Sequence, residues 1–138
     1  MMDTKLIRYR LERSTETLKD AETLLSTGSL ISAVNRMYYG MFYAVVALLK
    51  TKELVSSKHS GVRALFNQHF VKTGSVPKEM GQFYGELFER RSKGDYVDYA
   101  EFTQEQAKGY YEQAVRFTAA LWEMVNGILD AEEKKQDK

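Results

Sequence analysis

No cysteine occurs in the 138 residues, which removes disulfide frameworks, thiolate nucleophiles and cysteine-held zinc together. A single proline, Pro77, interrupts the chain, so helices can run long between brief loops. No stretch alternates apolar and polar side chains for long enough to argue for a strand, and no internal repeat is visible. The longest apolar run, Met41 to Leu49, falls well short of the ~20 residues a membrane-spanning helix needs, so no membrane passage is expected. The opening Met1-Met2-Asp3-Thr4-Lys5 lacks the apolar core and small-residue cleavage site of a secretory signal, and a cytoplasmic protein is expected. Nor does charge of one sign dominate, since the formal net charge is +1. The balance is uneven all the same. Lys50 to Lys93 is richer in basic than acidic residues, most densely at Arg90, Arg91 and Lys93, and such a local patch attracts phosphate even on a near-neutral molecule.

What is present describes an ordinary globular chain, with 43% hydrophobic, 12% aromatic and 28% charged residues. Its length suits one domain, expected over residues 1–130, followed by a charged flexible tail at 131–138 without apolar anchors. Ile7, Leu11, Ser14, Leu18, Ala21 and Leu25 recur at three- and four-residue steps, which predicts a helix from about Thr4 to Ser26, ended by Gly28. Ser29 then caps a second helix reaching about Lys52, apolar on more than one side through Val34, Met37, Tyr38, Met41, Phe42, Val45, Leu48 and Leu49. That breadth fits either a central helix or one that also faces a second subunit. Ser57 is the expected cap of a third helix through Val62, Phe66 and Phe70. Pro77 opens a fourth that stops near Gly94, and Thr103 with Gln106 has the form of a capping box at the start of a fifth. The fold class is therefore all-α, an antiparallel up-and-down bundle of four to five helices.

Arg90-Arg91-Ser92-Lys93-Gly94-Asp95-Tyr96 is the leading candidate site. It gathers guanidiniums, a carboxylate and a phenol at an expected helix junction, and Arg offers a planar donor fork suited to phosphate. Arg91, Arg90 and Lys93 are the candidate phosphate contacts, although Arg90 can instead pair with Glu86 one turn earlier. Gly94-Asp95 is also good turn chemistry. Asn35 and Arg36 lie beside the apolar face of the second helix, where an Asn fixes packing or supports a site. Tyr38, Tyr39, Phe42 and Tyr43 read mainly as core, with hydroxyls seeking polar partners. His59 and His69 lack the spacing and companion ligands of a metal site and read as surface or partly packed residues. Gly81 and Gly85 mark close helix packing. No metal and no cofactor is expected, since neither a ligand set nor a phosphate-binding glycine loop is apparent.

Several of these stretches together resemble the HEPN domain family. Ala33-Val34-Asn35-Arg36-Met37-Tyr38-Tyr39-Gly40-Met41-Phe42 is similar to the Asn-x-x-Tyr-Tyr-small-x-Phe pattern of its small prokaryotic members, and Lys58-His59-Ser60-Gly61-Val62 with Phe66 to Val71 to their third helix. Arg91-Ser92-Lys93-Gly94-Asp95-Tyr96 resembles their Arg-x-x-x-Asp-Tyr junction. The resemblance implies a helical bundle that pairs as a homodimer with the arginine junctions close together. It further implies engagement of RNA or a nucleotide, and a minimal nucleotidyltransferase as antitoxin partner. Many relatives are metal-independent ribonuclease toxins, whose signature is an Arg, four to six residues, and a His. Here Arg91 is followed by Tyr96, which departs from that signature, and no His comes later in the chain. A phenol of pKa ~10 is a poorer base near neutrality than an imidazole of pKa ~6.5, which leaves Asp95 or His59 as alternative sources of a base, neither assigned by the sequence. On this resemblance Arg91 and Tyr96 are the candidate catalytic pair, with Asn35 and Asp95 in support. A binding module is the leading expectation, and a ribonuclease toxin or a non-catalytic protein-interaction partner are the alternatives.

Overall fold

The computed structural model describes residues 2–96 and 102–136, with side chains for residues 2–91 and 102–135. Its helices follow in the order α1 Thr4–Ser26, α2 Leu30–Lys50, α3 His59–Phe66, α4 Lys78–Tyr96 and α5 Gln104–Gln136. A π-helical turn at Asn67–Val71 prolongs α3, and among the described residues there is no strand. The stripe expected on α1 is the stripe it buries, with Ile7, Leu11, Ser14, Leu18, Ala21 and Leu25 all inside.

Helix ends follow the local chemistry at most junctions. The Gly28 amide donates to the Leu25 carbonyl and the Ser29 amide to Leu24, 3.2 and 2.9 Å away. Gly28 takes φ +81°, the left-handed cap that lets the last carbonyls of α1 be satisfied. The Thr103 hydroxyl accepts from the Gln106 amide at 3.0 Å, but the Gln106 side chain does not reach back as a full capping box would. It donates forward to the Tyr110 hydroxyl at 3.0 Å. Three expectations are corrected. Ser57 does not begin α3; Lys58 stands at the cap, extended at ψ 141°, and the first helical residue is His59. The second helix ends at Lys50 rather than Lys52. Nor does Gly94 stop α4, which continues to Tyr96, because one interior glycine costs only ~1 kcal/mol relative to alanine in a helix otherwise secured by packing. At the other end of the chain α5 extends to Gln136, and Arg8 of α1 pairs with Glu133 at 2.7 Å.

α2 is the central helix, packed against α1, α3, α4 and α5. The breadth of its apolar surface is thus used within one chain, and it carries no separate argument for a second copy. A column of rings ties these helices together. Tyr38 stacks on Tyr84 with centroids 5.7 Å apart, and Tyr84 lies nearly parallel to Phe117 at 5.8 Å. Phe66 meets both Tyr84 and Phe117 edge-on. Tyr38, Tyr84 and Phe66 have no exposed surface. Each such contact adds ~0.5–1.5 kcal/mol beyond area burial.

Gly40 sets the closeness of the α1–α2 crossing. The Ser14 hydroxyl donates to the Gly40 carbonyl at 2.7 Å, and a Cβ at Gly40 would stand 2.7 Å from Leu18 Cδ2 and 2.9 Å from Leu18 Cγ. Overpacking a fitted interface costs ~1–3 kcal/mol. Gly40→Val is therefore expected to lower the urea midpoint by a corresponding amount while leaving the helical signal in place, and an unchanged midpoint would contradict this packing.

Candidate functional site

Arg91 projects from the last part of α4 onto the aromatic end of α2. Its Nη1 donates to the Tyr39 hydroxyl at 3.2 Å, and its guanidinium carbon lies 4.9 Å from the centre of the Tyr38 ring, 5.4 Å from Phe88 and 5.9 Å from Tyr39. Two more arginines reach the same rings. Arg36 of α2 lies over Tyr39 at 4.8 Å, and Arg63 of α3 over Phe88 at 5.4 Å. Asn35 acts through Arg36, its Oδ1 accepting from Arg36 Nη2 at 2.9 Å and Nε at 3.3 Å, which holds that guanidinium over Tyr39. Arg63 lies where a side chain at Gly85 would otherwise be, so the Gly81–Gly85 pair does serve close packing of α4, with Val71 against Gly81. Glu89 is 4.0 Å from Arg63, too long to count as a hydrogen bond.

His59, the first residue of α3, sits in the middle of this group. Its ring stacks on Phe42 with centroids 4.4 Å apart and meets Tyr39 edge-on at 5.5 Å. Its Nδ1 is 2.9 Å from the Tyr38 hydroxyl. Burial, and after it the charge of Arg91, hold the imidazole pKa below its ordinary 6.5. The consequence for stability has a definite sign. Between the folded value and 6.5 the unfolded chain binds more protons, so stability falls as pH drops through that window and levels off below it. His59→Gln is expected to flatten this part of a melting-temperature profile between pH 7 and 5, and an identical slope in the variant would contradict the assignment.

The two junction arginines part company. Successive helical positions are ~100° apart around the axis, and Arg90 accordingly faces α5. Its Nη2 is 4.0 Å from Glu86, whose Oε1 accepts from the Tyr110 hydroxyl at 3.1 Å. Burial, then the Glu86 carboxylate, push the Tyr110 phenol up. Of the expected site residues, then, the structure brings Arg91 and Asn35 into one cluster and puts Arg90 on another face. The side chains of Lys93, Asp95 and Tyr96 lie outside the described residues. Sequence reasoning treated His59 as a surface or partly packed residue and the tyrosines as mainly core. Of that aromatic group only Tyr38 is wholly buried, while Tyr39, Phe42 and Tyr43 are half-buried. The signal that could have found His59 was the need of a buried tyrosine hydroxyl for a polar partner. Among the described residues no three His, Asp or Glu gather as a metal site.

Beside Asn35 and Arg36 lies a surface recess of about 440 Å³, shared with Leu24, Ile31 and Ser32. The arrangement therefore combines flat cations, accessible ring edges and a neighbouring concavity. No described helix is long and apolar enough to cross a membrane.

Comparison with known proteins identifies related chains. The family model of the HEPN domain matches residues 7–128, from the first buried residue of α1 to near the end of α5. The chain is 48% identical over 124 residues to a Thermotoga maritima protein named "UPF0332 protein", covering 90% of this chain and 94% of that one. Two proteins of Methanocaldococcus jannaschii, each named "Putative toxin", are also similar. One is 37% identical over 71% of this chain and 67% of its own length; the other is 31% identical over 89% and 91%.

Proposed function

The chain belongs to the HEPN domain family, matched from residue 7 to 128, and from that premise we propose that it is a toxin-like module that engages single-stranded RNA or a nucleotide through the Arg91 cluster. One observation carries the reading: Arg36, Arg63 and Arg91 converge on the rings of Tyr38, Tyr39 and Phe88. Guanidiniums offer planar donor forks that suit a phosphate, and their positive potential attracts one. Ring faces and edges beside such cations suit unstacked bases. Lys93 and Tyr96 complete the proposed contact set, Asn35 and Asp95 support it, and Arg90 contributes only to the surrounding potential. Similarity to proteins named "Putative toxin" supports the toxin-like part of the reading, and the family resemblance adds a cytoplasmic two-component setting with a minimal nucleotidyltransferase as antitoxin. The family resemblance supports a homodimer, which light scattering across protein concentrations tests; a concentration-independent monomer would remove it.

The test of the main reading is binding of labelled single-stranded RNA and of ATP across a salt series. Phosphate engagement weakens linearly in log affinity against log salt, and an absence of binding at low salt would overturn it. A metal-independent ribonuclease is the second reading, favoured by the imidazole of His59 inside the arginine cluster, since this side chain exchanges protons near neutrality. Its cleavage would persist in chelator and be lost in Arg91→Ala.

A further inference from the structure

On the reading that the Arg91 cluster seats an RNA phosphate, we infer that His59 is a ligand-contacting residue of that seat, with Nδ1 held by Tyr38 and Nε2–H donating to a phosphate oxygen beside Arg91. The orientation of the ring comes first. Phe42 covers one face at 4.4 Å, Tyr39 meets it edge-on at 5.5 Å, and the Tyr38 hydroxyl holds Nδ1 at 2.9 Å. Three contacts from α2 thus fix the imidazole of a half-buried residue in one plane.

The tautomer follows from burial. Tyr38 has no exposed surface; its hydroxyl accepts from the Tyr84 hydroxyl and lies 2.9 Å from the Nδ1 of His59, which is the acceptor left for its own proton. A buried phenol proton left without an acceptor costs ~1–3 kcal/mol, so Tyr38 donates and Nδ1 accepts. In a neutral imidazole the proton then belongs to Nε2, on the side of the ring turned away from the buried hydroxyl. The fold needs the Nδ1 bond; among the described residues nothing accepts from Nε2–H.

The surroundings say what that donor is for. Tyr38 and Tyr39 face the ring from α2, with Arg36 over Tyr39. Arg63 follows on α3, and Arg91 and Tyr84 approach from α4, where Tyr84 stacks on Tyr38. Among the described residues, Glu89 stands 4.0 Å from Arg63. An anion is the ligand such a shell favours, and a neutral N–H next to a guanidinium is a directional complement to its charge. Because burial and Arg91 depress the imidazole pKa, His59 adds a hydrogen bond but no charge at pH 7.5. Acidification adds the charge only by placing a proton on Nδ1, at the cost of the bond it accepts from Tyr38. RNA affinity should therefore be proton-linked through this one residue.

The experiment uses the full chain and a fluorescein-labelled, 2′-O-methylated oligouridine, so that cleavage cannot intervene. Anisotropy titrations over a salt series at pH 7.5 and 5.5 compare wild type with His59→Ala, His59→Gln and Arg91→Ala, with circular dichroism confirming the fold of each. At pH 7.5, His59→Ala should weaken binding about 10-fold, the low end for a hydrogen bond to a charged group, with the log–log salt slope unchanged. His59→Gln, whose amide can replace the donor, should recover part of that loss. Arg91→Ala should instead reduce the slope by about one. Any rise in wild-type affinity and slope as pH falls from 7.5 to 5.5 should be absent in His59→Gln. Wild-type affinity, slope and pH response in both His59 variants, with Arg91→Ala impaired, would overturn the role of His59 and leave the Arg91 site standing. An unimpaired Arg91→Ala would overturn both.

Discussion

Tyr38→Ala is expected to destabilise the protein by about 3–5 kcal/mol, the range for emptying a buried aromatic site, and to abolish RNA binding even where the chain still folds. The ring has no exposed surface and lies between Tyr84 below and the arginine cluster above. Its removal opens a cavity at the meeting of α2, α3 and α4, and takes away the surface under Arg91 and the hydrogen bond to His59. Tyr38→Phe separates these effects. It keeps the stack and loses one hydrogen bond, so about 1 kcal/mol of stability should go while the core remains. Urea unfolding of the three proteins measures both steps. A loss below ~1 kcal/mol in Tyr38→Ala would mean the ring column does not bear on stability as buried aromatics do.

The largest effect on function that leaves the core intact is expected from Arg91→Ala. Hydrogen bonds to a charged group contribute about 1.5–3 kcal/mol, so affinity for single-stranded RNA should fall roughly 10- to 100-fold, similarly for every sequence tested. Stability should change much less, since a cation lying over rings adds about 0.5–1 kcal/mol at an exposed site and up to ~2 when desolvated. Arg91→Lys distinguishes charge from shape. An ammonium keeps the electrostatic attraction but not the planar fork that lies flat on Tyr38 and Phe88, so the salt slope should be retained while affinity drops. Binding equal to wild type in both variants would place the RNA elsewhere on the surface or show that there is none.

The helices were legible because each is written in local signals: a period of apolar residues, Gly28 at a left-handed cap, Thr103 at an N-terminus. Local signals misled where tertiary packing overrides them. Gly94 looks like a terminator, yet α4 passes through it. The broad apolar surface of α2 left open whether a neighbour or a second subunit covers it, and only the packing of α1, α3, α4 and α5 around it answers that. In the candidate site Arg91 and Asn35 could be singled out by residue type and position. That they share a site with His59 could not, because His59 and Arg91 stand on different helices and meet only through the docking of α3 on α2. The parting of Arg90 from Arg91 was available from helical geometry alone, since neighbours on a helix cannot face the same way.

The most direct measurement is an NMR titration of the isotope-labelled protein with a short 2′-O-methylated RNA, following the His59 imidazole, the arginine Nε–H groups and the Trp122 indole. The account predicts that His59, Arg63 and Arg91 shift together and saturate with the binding curve, while Trp122, in the groove that α1 and α5 form with Thr15 and Tyr111, stays still. Shifts centred on that groove, with His59 and Arg91 unmoved at saturation, would contradict it.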